Sequence, residues 1–133
     1  RLARSMERDF EKRLQPLGIT RGAYALLSAI QHDEKTRPAE LAAHLGLDGA
    51  AITRYLGRVE ELGLIERKPD AEDRRSTHIE LTADGRRVIS QGLACSKATN
   101  EKFTAGLTAA EVACFHIGIQ KMLARSGVTV ADL

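Results

Sequence analysis

The chain has 133 residues, 43% of them apolar and 29% charged, enough for one compact domain and too much apolar content for wholesale disorder. Aromatics make up 4% with no Trp, and there are three Pro, so the core must rest on Leu, Ile, Val and Ala, and a Pro-rich fibre is excluded. A net charge of +2 is mildly basic and does not by itself demand a nucleic-acid partner, no apolar run approaches the roughly 18–20 residues that cross a bilayer, and the charged opening residues lack a secretory-leader pattern, so no membrane partner is expected.

The elements follow in chain order. Leu2, Met6, Phe10 and Leu14 recur every four residues and predict a helix over 2–14, ended by Pro16 and Gly18. No comparable stripe is read ahead of it, so a later helix or a second chain is expected to cover it. Thr20 suits the N-cap of a second helix reaching about Gln31, with Tyr24, Leu27 and Ile30 at helical spacing. Asp33 to Thr36 read as a polar turn. Pro38 suits the first position of a short third helix to Leu45, burying Leu41 and Leu45, and Gly46 turns the chain.

Asp48 is an N-cap type for a fourth helix, 49–62, with Ile52, Leu56 and Val59 inward and Gly63 at its C-terminal end. Leu64–Lys68 and Thr77–Leu81 are short strands around a charged loop, Pro69 to Ser76. Thr82 caps a long fifth helix to about Gly106, with Ile89, Leu93 and Phe103 on one side. Thr108 and Glu111 form a capping box for a last helix striped by Val112, Phe115, Ile119 and Met122. Long helices at both ends of a short chain point to a core shared about a two-fold axis, rather than one closed within a single copy.

Residues 38–82 thus read as a helix-turn-helix followed by a two-stranded wing. An α-helix fits the B-DNA major groove, which is about 12 Å wide, and a bracing helix presents its N-terminal half to base edges. Gly49, Ala50 and Ala51 are small enough for close approach, Thr53 and Arg54 are outward donors, and Arg58 one turn on is placed for a phosphate. The helix N-terminus adds free N–H groups and its dipole. Arg74 and Arg75 stand at the hairpin tip, where a cationic side chain can enter a narrow minor groove, and the neighbouring Asp73 can fix an arginine's direction. Charge alone does not make the case: residues 48–80 hold six cations against eight anions, so binding requires the arginines on the DNA face and the acids turned away.

These residues resemble the MarR family of bacterial transcription regulators. The resemblance rests on Ile52-Thr53-Arg54-Tyr55-Leu56-Gly57-Arg58, on Leu62-Gly63-Leu64-Ile65-Glu66-Arg67, and on Asp70, Asp73-Arg74-Arg75-Ser76, Leu81-Thr82 and Gly85. It implies a mainly α fold with a small antiparallel β-hairpin, a winged helix-turn-helix with N- and C-terminal dimerisation helices. The whole of 1–133 is then a single MarR-like domain, with 20–82 as the winged core and 1–16 and 83–126 as dimerisation helices. It further implies a homodimer on a palindromic double-stranded operator, acting as a repressor relieved by a small aromatic or other anionic effector or by oxidation. Arg75 becomes the minor-groove arginine, Asp73 its salt-bridging neighbour, and Thr53 and Arg54 groove contacts. Gly57 departs from the family, which usually has Asp there, and the reactive first-helix cysteine of its oxidation-sensing branch is missing.

An effector pocket is expected between the first, second and fifth helices and the DNA-binding lobe, where Arg21 could face a carboxylate and Tyr24 pack on a ring; the plainer reading makes them a surface cation and a core ring. Cys95 and Cys114 read as buried, inert thiols in a reduced, cytoplasmic setting. Cys114 and His116 are two apart on a helix and diverge, so neither metal nor cofactor is expected. No catalytic motif stands out, and no enzyme is expected. The alternative function is a winged-helix module that binds protein without sequence-specific DNA binding.

Overall fold

The computed structural model describes residues 1–32, 34–69 and 77–126. In chain order these form α1 (Leu2–Leu14), a 3₁₀ turn (Gln15–Leu17), α2 (Arg21–His32), α3 (Pro38–His44), α4 (Gly49–Glu61), β1 (Ile65–Pro69), β2 (Thr77–Leu81), α5 (Ala83–Thr104) and α6 (Ala109–Ser126). The fold is mainly α with one antiparallel hairpin, as expected.

The caps that were legible in the sequence are made. Thr20 Oγ1 accepts from the Ala23 N–H at 3.2 Å, and Asp48 Oδ1 accepts from the Ala51 N–H at 2.7 Å. Glu111 accepts from the Thr108 N–H at 2.7 Å, closing the capping box and holding the Glu111 carboxyl below its usual range. Gly46 and Gly63 take φ of 61° and 69°, the left-handed conformation that ends a helix without a Cβ clash.

β1 begins one residue later than the pattern suggests. The Leu64 N–H is drawn back to the Val59 carbonyl at 3.0 Å, so Leu64 belongs to the helix cap, and the strand runs on to Pro69. The hairpin register pairs Ile65 with Leu81 and Arg67 with Ile79. Thr82 locks this junction: its hydroxyl donates to the Gly63 carbonyl at 2.7 Å and accepts from the Gly85 N–H at 3.0 Å, while its own N–H reaches the Leu64 carbonyl. A Cβ on Gly85 would stand 2.1 Å from the Leu64 carbonyl oxygen, so only glycine lets the start of α5 lie this close.

One core joins α2, α3, α4, the hairpin and the first half of α5, through Leu26, Leu27, Leu41, Leu56, Val59, Ile79 and Ile89. α1 lies along α5, with Leu14 fully buried and Asp9 bridging the two helices. The Asp9 side chain is only 13% exposed; it accepts from Lys102, from Arg13 at 2.7 Å and from Thr99 at 3.1 Å, which holds its carboxyl far below the usual carboxylate range.

α6 differs from the rest. Among the described residues it makes no substantial packing contact with another element, and Phe115, Ile117 and Met122 are 58%, 51% and 73% exposed. Cys114 is therefore exposed in the single chain, not buried as its apolar neighbours suggested, and Cys95 is half-buried, donating to the Arg13 carbonyl at 3.4 Å. Leu93 is also exposed, because the residue of α5 that meets α2 is its neighbour Gly92.

Candidate nucleic-acid interface

α4 meets the core with Ile52, Leu56 and Val59, which leaves its opposite face to solvent. On that face Gly49, Ala50, Thr53, Arg54 and Arg58 are exposed and Ala51 half-exposed. Arg54 makes no ion pair among the described residues, so its guanidinium is free for an acceptor. Arg58 rests at 3.6 Å from Glu61, with both side chains largely solvated, a contact too weak to hold it against a phosphate.

Two details revise the donors assigned from sequence. The Thr53 hydroxyl donates to the Gly49 carbonyl at 2.7 Å, so outward it offers its oxygen lone pairs and methyl group and no free O–H. The Ala51 N–H is taken by Asp48, so it is not available to a phosphate at the helix N-terminus.

The hairpin is fixed to α4 by an ion pair between strand and helix. Arg67 Nε donates to Glu60 Oε2 at 2.8 Å, an interaction between residues seven apart that periodicity does not reveal. Along the hairpin, Lys68 pairs with Glu80, and His78 Nε2 lies 2.8 Å from Glu80 Oε1. Lys68 and His78 hold the Glu80 carboxyl down, and Glu80 holds the Lys68 ammonium up. The acids that outnumber the bases in this region are thus spent partly on neighbouring cations, while Arg54 has no such partner among the described residues. Asp73, Arg74 and Arg75, the wing-tip candidates, lie outside the described residues.

Sequence reasoning missed Tyr55. It lies half-buried against the core, with its ring on α2 where a Cβ at Gly22 would meet Tyr55 Cε1 at 2.6 Å and its hydroxyl oxygen at 2.7 Å. The signal was present: 52, 55, 56 and 59 complete the inner stripe of α4.

The effector candidates both have structural partners. Arg21 Nη1 lies 3.0 Å from Glu7 Oε1 and its backbone N–H donates to Glu11 Oε2 at 3.0 Å, tying α2 to α1. The Tyr24 ring stands edge-on to Phe10, centroids 5.3 Å apart, and lies flush on Gly92. A shallow open groove lies elsewhere, between the end of α2 and β2, lined in part by Ile30, Thr36, Ile79 and Arg86. No group of three or more His, Cys, Asp or Glu among the described residues is placed to hold a metal ion.

A sequence profile described as the MarR family matches residues 17–76, a span that begins at the end of the 3₁₀ turn. The multiple antibiotic resistance protein MarR of Salmonella typhimurium is 34% identical over 114 residues, covering 83% of this chain and 77% of that protein. The chain belongs to the MarR family of transcription regulators. MarR of Escherichia coli is 31% identical over 121 residues, covering 88% of this chain and 82% of that protein. Its reduced form superposes with a TM-score of 0.83 at 31% identity, over 91% of this chain and 90% of that one. A cysteine-to-serine variant of E. coli MarR complexed with operator DNA superposes with a TM-score of 0.78 at 30% identity, over 91% of this chain and 87% of that one. No helix among the described residues is long and apolar enough to cross a membrane.

Proposed function

We propose that two copies of this MarR-family chain bind a palindromic DNA operator, with one α4 in each of two successive major grooves and Arg75 of each wing in the flanking minor groove. The single observation that carries this reading is the α4 outer face: small residues at its start, then an Arg54 with no ion pair among the described residues and a loosely held Arg58, on a helix whose inner face is seated on the core. The contacts are assigned to Ala50, Ala51, Thr53, Arg54 and Arg58 on the helix and to Asp73, Arg74 and Arg75 on the wing. The E. coli relative in complex with operator DNA supports DNA binding as the function; the residue contacts rest on the α4 face and the resemblance of the wing.

The apolar stripe of α6 and the outer end of α1 supply the two-fold contact in this reading; Leu2 at that end is 56% exposed. Residues 1–133 then act as one domain, with helices at both termini joining the copies. Dimer geometry sets the separation of the recognition helices, and half-sites recur at about 34–36 Å. An effector that changes this separation releases the operator and relieves repression. An anionic effector reaching Arg21 must compete with Glu7 and Glu11, so its binding loosens α1 from α2. The reading assigns no catalytic step, no cofactor and a cytoplasmic site of action.

The test is selection of a binding site from a random-sequence DNA duplex library, followed by gel-shift titration of the selected duplex at several salt concentrations. Phosphate contacts give a log–log slope of about −0.9 per phosphate neutralised. Arg54→Ala and Arg75→Ala should each weaken binding and flatten or relax that response. The pairing of Arg67 and Lys68 with carboxylates favours one second reading, a wing that docks on protein. A chain that selects no duplex favours it.

A further inference from the structure

One turn of α2 is held from two sides. Arg21 is gripped by Glu7 and Glu11 of α1, and the next residue, Gly22, is covered by the ring of Tyr55 from α4. A Cβ at Gly22 would fall within 3 Å of two ring carbons and the hydroxyl oxygen of Tyr55, so the close seat exists because residue 22 has no side chain. Tyr55 follows the outward Thr53 and Arg54 directly, and any rotation of α4 that lifts the ring also turns those side chains. Ile52, Leu56 and Val59 bury one face of α4, and the phenol end of Tyr55 adds a contact so close that no side chain fits on the facing backbone.

We propose that Tyr55 is a positioning residue for DNA recognition: its ring, seated on Gly22, sets the rotation of α4 about its axis and couples that rotation to α1 through Arg21. This rests on the proposed DNA binding. Tyr55 itself contacts no base; it fixes where Thr53 and Arg54 point. Displacement of α1 moves the Arg21–Gly22 turn and with it the seat.

The test uses the full chain and the duplex selected above, alongside a scrambled duplex of equal length. The quantity read is the ratio of the two affinities, which loss of folded protein alone does not alter. Gly22→Ala should lower that ratio about tenfold, the scale of one overpacked contact. Tyr55→Leu, which keeps an apolar group and removes the ring, should lower it as well, and Tyr55→Leu should return part of the loss when combined with Gly22→Ala. A second readout needs no DNA. Tyr24→Phe leaves Tyr55 as the only tyrosine, since the chain has two; adding Gly22→Ala should raise quenching of its emission by acrylamide. Wild-type ratios in both Gly22→Ala and Tyr55→Leu, or unchanged quenching, overturn the positioning role. Failure of the wild-type chain to retain any duplex overturns the proposed function instead.

Discussion

The lobe formed by α2, α3, α4, the hairpin and the first half of α5 and the stem formed by α6 are built on opposite terms. In the lobe the large aliphatic side chains close on one another, and at Gly22, Gly85 and Gly92 backbone or ring lies where a Cβ would stand. In the stem the apolar residues face outward and α6 has no substantial neighbour among the described residues. The lobe is complete in one chain; the stem is not. A helix that exposes Phe115 and Met122 on one side and Ile117 on another is a poor solvent surface, and a second copy is the occupant that also fits the proposed two-fold operator.

This contrast is broken most severely at Gly85. Gly85→Ala places a methyl group against the Leu64 carbonyl, where backbone must move, and should cost about 3 kcal/mol or more of lobe stability. Chemical denaturation checks it, and the loss should not depend on protein concentration. Phe115→Ser probes the other side. It should cost about 2 kcal/mol of association per protomer, read as a shift in the dimer dissociation constant by sedimentation, with the helical signal of the lobe intact. A loss independent of concentration would place Phe115 inside a single-chain core.

Smaller effects sharpen the picture of α4. Asp48→Ala removes the acceptor of the Ala51 N–H and should cost about 1 kcal/mol in thermal denaturation. Gly57→Ala should stabilise by up to about 1 kcal/mol, because a Cβ there meets nothing within 4 Å. The smallest effect is at the α1–α5 contact. Lys102 and Arg13 depress the Asp9 pKa in the folded state, so Asp9 contributes stability above its ordinary value of 3.8 and loses it as pH falls from there through the depressed folded value. Stability measured from pH 5 downward should fall less steeply in Asp9→Asn than in the wild-type chain.

Local chemistry was legible in the sequence. Thr20, Asp48, Thr82 and Thr108 announce helix starts, Gly46 and Gly63 announce ends, and each works through atoms only a few residues away. The Thr53–Arg54–Arg58 face was legible too, since it follows from the inner stripe of the same helix. Contacts between elements were not. Glu60–Arg67, Tyr55 on Gly22 and Asp9 on Lys102 depend on where separate elements come to rest, and no period in the chain encodes that. The expected burial of Cys114 failed for a related reason: an apolar stripe says that a face will be covered, not by which chain.

Sedimentation of the chain with its selected duplex, across a salt series, tests the central claim most directly. The account predicts two chains per duplex at low salt, released together as salt rises. One chain per duplex with full affinity, or binding that ignores salt, would contradict it.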